Sequence, residues 1–256
     1  MVCPIYMSSS KDIKELNFNG TNLPIRRFHL EWMVPNPSIV LIAKRGSGKS
    51  WIARALLKHF NDIPGGVVIS KTEKLSLFYG KFIPDSYIHY EFKTEIIDRL
   101  LYRQETIKDK AREKLKKGKK LDPRVFLVMD DCLADKGNWG SDKNVMEVLF
   151  NGRHYHIMYI LTMQFPLGIK PELRVNFDYI FILADNQNSN QEKIYKHYAG
   201  IFPTFQLFKM VFMQLTADFG CMVLTNRETK MGITDNVFWY KADNVDNIKI
   251  GCSQYR

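Results

Sequence analysis

The composition of this 256-residue chain is that of a folded protein: 45% of its residues are hydrophobic and 25% are charged, which excludes collagen-like and wholly disordered classes. One large α/β domain fits this length better than two equal domains. The formal net charge of +10, from 37 basic and 27 acidic residues, favours a polyanion as a partner.

The predicted elements begin with an irregular N-terminal arm, residues 1–35, which ends where Pro35 and Pro37 disfavour helical backbone. A core at 36–242 and a polar, loose C-terminal tail at 243–256 follow. The core contains apolar runs typical of buried strands at 38–43, 66–70, 125–130, 157–162, 179–183, 221–225 and 237–241. Helical spacing of apolar residues lies between these runs, at 52–60, 97–115, 191–199 and 203–216. Such alternation predicts an α/β fold with a central, mainly parallel sheet flanked by helices.

Membrane, secretory and disulfide-rich classes are disfavoured. The apolar runs fall far short of the roughly 20 residues of a membrane-spanning helix, and residues 1–10 lack the pattern of a secretory signal. The four cysteines are scattered and form no CxxC pair, so they predict neither a disulfide framework nor a zinc site. We expect an intracellular, reducing location and no transmembrane segment.

Residues 43–50 read AKRGSGKS and lie between a predicted strand and an amphipathic helix, which is the context of a P-loop. Gly46 and Gly48 allow backbone N–H groups to surround a phosphate at the start of the helix. Lys49 is placed to contact the β- and γ-phosphates, and Ser50 to bind Mg²⁺. Further nucleotide contacts are predicted from Lys44, Arg45, Ser47 and Trp51. Ala43 stands where glycine is usual, which is acceptable if its φ is negative.

Two later strands also end in polar residues. One ends in Asp130 and Asp131, the form of a Walker B motif, in which Asp130 would hold Mg²⁺ and Asp131 would act as a general base toward water. The next ends at Gln164. Because parallel strands end at one edge of a sheet, we expect Gln164 beside the aspartates, where it could orient the attacking water or sense hydrolysis.

Arginines and a basic segment complete the candidates. Arg153, or else Arg174, could stabilise charge on the transferring phosphoryl group of a neighbouring subunit, which would require a ring. Nine Lys or Arg and three Asp or Glu lie within residues 108–124, so 9 − 3 = +6 of the net charge is found there. Gly118 is suited to cap the helix in this segment, and the lysines could contact a DNA backbone.

Each pattern has an ordinary structural alternative. The P-loop could be a simple turn, the aspartate pair a helix cap, Gln164 a loop cap, the arginines surface ion pairs, and the basic segment a solvated helix end.

Taken together, the P-loop, the strand that ends at Asp130 and Asp131, the Gly152–Arg153 turn and the strand that ends at Gln164 resemble the viral genome-packaging ATPases of the FtsK-HerA superfamily. These are the poxvirus-type packaging motors of large DNA viruses. The resemblance covers roughly residues 35–242. Cellular members usually have Glu where this chain has Asp131.

This resemblance implies a RecA-like P-loop NTPase fold that uses ATP and Mg²⁺, with Lys49, Asp131, Gln164 and Arg153 as catalytic residues. It also implies a homo-oligomeric ring that moves double-stranded DNA into a capsid and contacts capsid or portal-vertex proteins. The location would be the virion or a viral factory in the host cytoplasm.

Three other classes stay open. A P-loop helicase or other AAA-like replication ATPase would share the nucleotide site but separate strands. A nucleotide kinase would transfer phosphate without stimulation by DNA. An inactive P-loop scaffold would bind nucleic acid without turnover.

Overall fold

An eight-stranded mixed sheet forms the centre of the computed structural model, which describes residues 12–132, 139–227, 232–245 and 247–252. The strands are β1 (Ile13–Phe18), β2 (Thr21–Arg26), β3 (Ser38–Ile42), β4 (Gly66–Ser70), β5 (Ile88–His89), β6 (Val125–Asp130), β7 (Ile157–Met163), β8 (Tyr179–Leu183), β9 (Cys221–Thr225) and β10 (Val237–Tyr240). The helices are α1 (Lys49–His59), α2 (Glu73–Ser76), α3 (Thr94–Lys116), α4 (Lys143–Asn151), α5 (Pro171–Arg174), α6 (Asn188–Tyr198), α7 (Phe205–Leu215) and α8 (Ile233–Asn236).

The order of strands in the large sheet is β10-β9-β8-β3-β7-β6-β4-β5. The six strands from β8 to β5 are parallel, whereas β9 and β10 each run antiparallel to the preceding strand. All six parallel strands therefore end at one side of the sheet, called here the carboxyl edge, and begin at the opposite side, the amino edge. The predicted α/β P-loop fold with a mainly parallel sheet is confirmed.

Both faces of the sheet are buried, which explains why its strands are continuously apolar. In the central strand β3, Ile39 and Leu41 belong to the hydrophobic cluster under α1, while Val40 and Ile42 belong to the cluster under α3, α4 and α7. This burial on two sides holds the loop that follows β3 rigidly in place.

A β-hairpin lies in the predicted N-terminal arm, where no element was expected. β1 and β2 pair antiparallel through a two-residue turn, Asn19 and Gly20, whose φ angles are both positive (49° and 80°). That combination is typical of a type I′ turn. Leu16 and Ile25 of the hairpin are buried in the core, and residues 1–11 of the arm lie outside the described residues.

Two expectations about packing are wrong. The segment after β10 is not a loose tail over its described part, because Val245, Ile248 and Ile250 are buried and the Ile250 N–H donates to the Phe82 carbonyl oxygen at 2.9 Å. The apolar residues predicted at helical spacing in 97–115 are buried only in the first part of α3, where Ile97 and Leu100 belong to the core, whereas Leu115 in the last turn is 68% exposed. Within the parts of the chain that the structure describes, no helix combines the length and apolar character needed to cross a membrane.

Candidate active site

The loop between β3 and α1, residues 43–48, lies at the carboxyl edge in the centre of the sheet. Gly46 (φ 81°) and Gly48 (φ 101°) adopt left-handed backbone, which strains any residue with a Cβ. Ala43 does not have a positive φ, and its N–H donates to the Met163 carbonyl oxygen at 3.0 Å. Alanine is therefore compatible with the backbone at this position. The loop leads directly into the first turn of α1.

Two polar side chains of the loop, Lys44 and Ser47, form hydrogen bonds within the protein. The Lys44 ammonium donates to Asn186 Oδ1 at 2.6 Å, and the Ser47 hydroxyl donates to the Lys44 carbonyl oxygen at 2.7 Å. Three further residues proposed to contact a nucleotide, Arg45, Ser50 and Trp51, are exposed to solvent. They are accessible to a ligand bound at the start of α1.

Lys49 lies between the two aspartates that follow β6. Its ammonium nitrogen is 3.3 Å from Asp130 Oδ1 and forms an ion pair with Asp131 Oδ2. All three side chains are more than four-fifths buried, with exposed fractions of 16%, 12% and 15%. Two carboxylates therefore share one ammonium, and this cluster carries a formal charge of −1.

The Asp130 carboxylate is fixed from both neighbouring strands. Asp130 is in register with Ser70 of β4 and Thr162 of β7. The Ser70 hydroxyl donates to Asp130 Oδ2 at 3.2 Å, and the Thr162 hydroxyl donates to Oδ1. These two hydroxyl groups set the direction of the carboxylate, and sequence analysis assigned neither a role.

Asp131 lies just beyond β6 with a positive φ of 51°. Its N–H donates to Thr162 Oγ1 at 3.2 Å, and the Gln164 amide donates to its Oδ2 at 2.8 Å. Asp131 Oδ1 is buried and accepts no hydrogen bond from the described residues. A buried carboxylate oxygen without a donor is costly, so this atom is suited to accept a donor from a bound ligand or water.

The structure thus brings together four of the predicted site residues, Lys49, Asp130, Asp131 and Gln164, at the carboxyl edge. They lie on α1, at or just after the end of β6, and just after the end of β7, which are far apart in sequence.

A buried tyrosine lies near the aspartates. Burial, and then the charges of Asp130 and Asp131, raise the pKa of Tyr79 well above its usual value, so its hydroxyl stays neutral. The loop that carries it is organised by the buried Glu73 carboxylate, which accepts hydrogen bonds from the N–H groups of Phe78 and Tyr79, both at 3.0 Å. This carboxylate was not identified from the sequence, because its partners are backbone groups.

Arg153 lies at the amino edge, on the opposite side of the sheet from Lys49. Its guanidinium is 2.5 Å from Asp178 Oδ1, to which Arg227 also donates at 3.2 Å, and Asp178 Oδ2 accepts the Ser38 N–H at 2.9 Å. The seven residues of β7 separate Arg153 from the carboxyl edge, roughly 20 Å. Arg153 therefore cannot reach the nucleotide site of its own subunit.

Arg174 is buried, and its guanidinium makes its contacts within its own chain. Its Nε and Nη2 atoms donate to the Ile169 carbonyl oxygen at 3.0 and 2.7 Å, and its guanidinium lies 5.3 Å from the centroid of the Tyr198 ring. These contacts disfavour a role for Arg174 at a neighbouring site.

The basic segment also lies at the amino edge, at the end of α3. Gly118 (φ 69°) ends the helix, with its N–H donating to Leu115 O and the Lys119 N–H to Lys114 O, both near 3 Å. The predicted cap is confirmed. Residues 112–120, called here the basic end of α3, are all exposed, and four of them border a groove of about 390 Å³: Arg112, Leu115, Lys119 and Lys120.

Comparison with known proteins gives relatives in large DNA viruses. The protein L437 of Acanthamoeba polyphaga mimivirus is 48% identical over 227 residues, which cover 89% of this chain and 79% of L437. The chain therefore belongs to the same viral protein family as L437. The protein 088R of Invertebrate iridescent virus 3 is 33% identical over 253 residues, covering 92% of this chain and 93% of that protein. No profile of a known protein family matches the chain.

Among solved structures, the genome packaging NTPase B204 from Sulfolobus turreted icosahedral virus 2, in complex with AMPPCP, has the same fold. The TM-score is 0.55 at 16% identity, and the match covers 82% of this chain and all of B204. The P-loop NTPase fold that the resemblance implied is therefore confirmed for this chain.

The site fits a magnesium nucleotide better than a metal held by protein alone. Within the described ranges, no cluster of three or more His, Cys, Asp or Glu side chains could hold a metal ion. Mg²⁺ usually takes one or two protein ligands together with phosphate oxygens and water. Ser50 and Asp130, with the unpartnered Oδ1 of Asp131 nearby, provide oxygens suited to that arrangement.

Proposed function

We propose that this protein binds ATP with Mg²⁺, hydrolyses it, and uses the energy to move double-stranded viral DNA into a capsid. The convergence of Lys49, Asp130, Asp131 and Gln164 at the end of the P-loop carries this proposal. The fold and the viral family support the packaging role. The proposed location is the virion or a viral factory, with capsid or portal-vertex proteins as neighbours.

In the proposed reaction, the N–H groups of residues 44–49 surround the β-phosphate, and Lys49 contacts the β- and γ-phosphates. When bound, Mg²⁺ neutralises charge on the phosphate oxygens, and Ser50 and Asp130 are the residues that would hold it. Lys49 then no longer neutralises Asp131, whose carboxylate becomes available to accept a proton from the attacking water. The Gln164 amide, which donates to Asp131 Oδ2, would orient that water.

This arrangement also gives Gln164 a way to report hydrolysis. Its amide donates to Asp131 Oδ2, the same oxygen that pairs with Lys49. When Lys49 moves to the phosphates, Gln164 becomes the remaining polar contact of that oxygen. We propose that the loop after β7 follows this exchange and transmits the state of the nucleotide.

DNA is the proposed substrate of movement, and the basic end of α3 is its proposed contact. The lysines there are exposed, and phosphate contacts of this kind are independent of sequence, as a translocase requires. Their position at the amino edge separates DNA from the nucleotide by the length of the sheet. Coupling would therefore pass through the strands and helices between the two edges.

Duplex DNA is expected to stimulate ATP turnover, and the triple variant Lys114→Ala, Lys116→Ala, Lys117→Ala is expected to lose most of that stimulation. Three lost phosphate contacts should also make the slope of log K for DNA binding against log salt less negative by about 3. Turnover without DNA should stay within about twofold, because these residues lie far from the site. The measurement is steady-state ATP hydrolysis with and without duplex, over a range of salt.

A matched triple variant, Lys58→Ala, Lys81→Ala, Lys170→Ala, removes the same charge from other exposed positions. Equal loss of stimulation in both triple variants would reject a specific role for the basic end of α3. Unwinding of a forked duplex would instead indicate a helicase, and phosphate transfer without DNA stimulation a kinase.

A ring is proposed from the position of Arg153. It lies at the amino edge and is 47% exposed, so it could contact a nucleotide only in a neighbouring subunit. Asp178 retains Arg227 as a partner when Arg153 leaves, so the buried carboxylate stays paired.

Mixing Arg153→Ala subunits with wild-type subunits is expected to reduce ATP turnover more than in proportion to the mutant fraction. Each mutant subunit would deprive its neighbour of a charge that is worth about 10³-fold or more in such enzymes, and a ring whose subunits hydrolyse ATP in turn would stop at that site. The measurement is ATP hydrolysis at a constant total protein concentration as the mutant fraction rises. A straight line between the two pure proteins would contradict an arginine that acts between the subunits of such a coordinated ring.

A further inference from the structure

We infer that Phe219 forms the stacking surface for the base of a nucleoside triphosphate. This inference rests on the proposed function and assigns a binding residue to the base, the end of the nucleotide opposite to the γ-phosphate. Along the carboxyl edge, β6 with the aspartates and β7 with Gln164 lie on one side of β3 and its P-loop, and β8 and β9 lie on the other.

The γ-phosphate end of the nucleotide is fixed by the catalytic groups. Asp131 contacts both Lys49 and Gln164 on the β6 and β7 side of the loop. A triphosphate that points its γ-phosphate toward them must leave the loop on the other side. The ribose and base therefore extend toward the ends of β8 and β9.

Phe219 lies on that side of the loop. β9 starts at Cys221, which is in register with Leu183, the last residue of the antiparallel neighbour β8. Residues 217–220 consequently lie at the carboxyl edge. A Cβ placed on Gly48 would be 3.6 Å from Phe219 Cδ1 and 3.6 Å from Leu183 Cδ2, so the phenylalanine ring borders the start of α1 directly.

The ring is exposed although its backbone is strained. Phe219 is 66% exposed, its φ is 58°, and the φ of Asp218 before it is 51°. Two successive non-glycine residues in left-handed backbone are costly, and a bulky aromatic residue is rarely found there. The turn is held by the Gly220 N–H, which donates to Ala217 O at 2.9 Å, and by an ion pair of Asp218 with Lys241 at 2.5 Å.

Such a surface suits a nucleobase. An aromatic ring gains from stacking on the π-face of any base, and the gain is independent of hydrogen bonding to the edge of the base. Burial of this exposed ring by a nucleotide would also remove apolar surface from water. The turn holds the ring beside the P-loop before the ligand arrives, so little ordering is needed on binding.

Other exposed aromatic residues fit less well. Phe165 follows Gln164 on the γ-phosphate side, and the Lys193 ammonium lies 4.7 Å from its ring centroid. Trp51 is half exposed on the first turn of α1 and is the competing candidate. The experiment therefore includes it.

The test measures binding of Mg-ATP and of inorganic tripolyphosphate, which has the phosphates but no base. Phe219→Ala is expected to raise the Kd for Mg-ATP about 10-fold or more and to leave the Kd for tripolyphosphate within about twofold. Phe219→Trp should retain ATP affinity. Phe150→Ala, which removes another exposed phenylalanine far from the site, should change neither Kd.

Phe219→Gly separates stacking from a structural role. Glycine relieves the positive φ, so this variant should have an equal or higher Tm while it loses ATP affinity as Phe219→Ala does. A purely structural phenylalanine would predict the reverse, with lower Tm and equal loss for both ligands.

The outcomes distinguish this inference from the proposed function. Unchanged ATP affinity in Phe219→Ala, equal loss for ATP and tripolyphosphate, or a selective loss in Trp51→Ala alone would overturn the stacking role while wild-type binding persists. A wild-type protein that binds neither ligand would overturn the proposed function as well.

Discussion

Replacing Lys49 by Ala is expected to reduce kcat for ATP hydrolysis by about 100-fold or more. Loss of one preorganised charged donor to the developing charge typically costs about 2.7–4 kcal/mol of transition-state stabilisation. Lys49 is the one cation that contacts both aspartates in the described structure, and it is placed to move from them to the phosphates. The measurement is steady-state ATP turnover over a range of ATP and Mg²⁺ concentrations.

Lys58→Ala is the matched control, because it removes an exposed lysine from the last turn of the same helix. Its turnover should stay within about twofold of wild type. If Lys49→Ala retained wild-type turnover, the proposed hydrolysis at this loop would be wrong, as would the kinase alternative.

Asp131→Asn is expected to lower turnover by about 10²–10⁴-fold, because an amide cannot accept the proton of the attacking water. The substitution keeps the shape of the side chain, so Mg-ATP affinity should change by only about threefold. Single-turnover hydrolysis separates the two effects, because it isolates the chemical step after ATP is bound.

Asp130→Asn is the natural comparison, since Asp130 lies next to Asp131 and is the proposed magnesium ligand. It should raise the Mg²⁺ concentration needed for half-maximal turnover, whereas Asp131→Asn should not. The opposite pair of results would exchange the roles of the two aspartates.

The sheet was predictable because its strands are buried on both faces. The bounds of β4, β6, β8 and β9 agree with the apolar runs in the sequence. The β1–β2 hairpin was missed although Asn19 and Gly20 form a strong turn signal, because the flanking strands alternate too weakly to show two strands. The exposure of Leu115 could not be predicted either. Residue spacing shows which face of a helix is apolar, but not how much of that face is covered by the rest of the protein.

The grouping of Lys49, Asp130, Asp131 and Gln164 followed from one rule, that parallel strands end at the same edge. The contacts of the Ser70 and Thr162 hydroxyl groups with Asp130 could not be predicted, because they depend on which strands are neighbours and on the register between them. Phe219 escaped for a similar reason, since only the antiparallel return of β9 brings it to Gly48. The same rule places Arg153, at the start of a strand, on the other edge.

A crystal structure of the protein with AMPPCP and Mg²⁺ tests the central claim most directly. We expect the triphosphate on the N-terminus of α1, the Lys49 ammonium moved from Asp131 to the phosphates, and the γ-phosphate between Lys49 and Gln164. A nucleotide bound elsewhere, or one whose γ-phosphate points toward β8 and away from Asp131, would contradict the account.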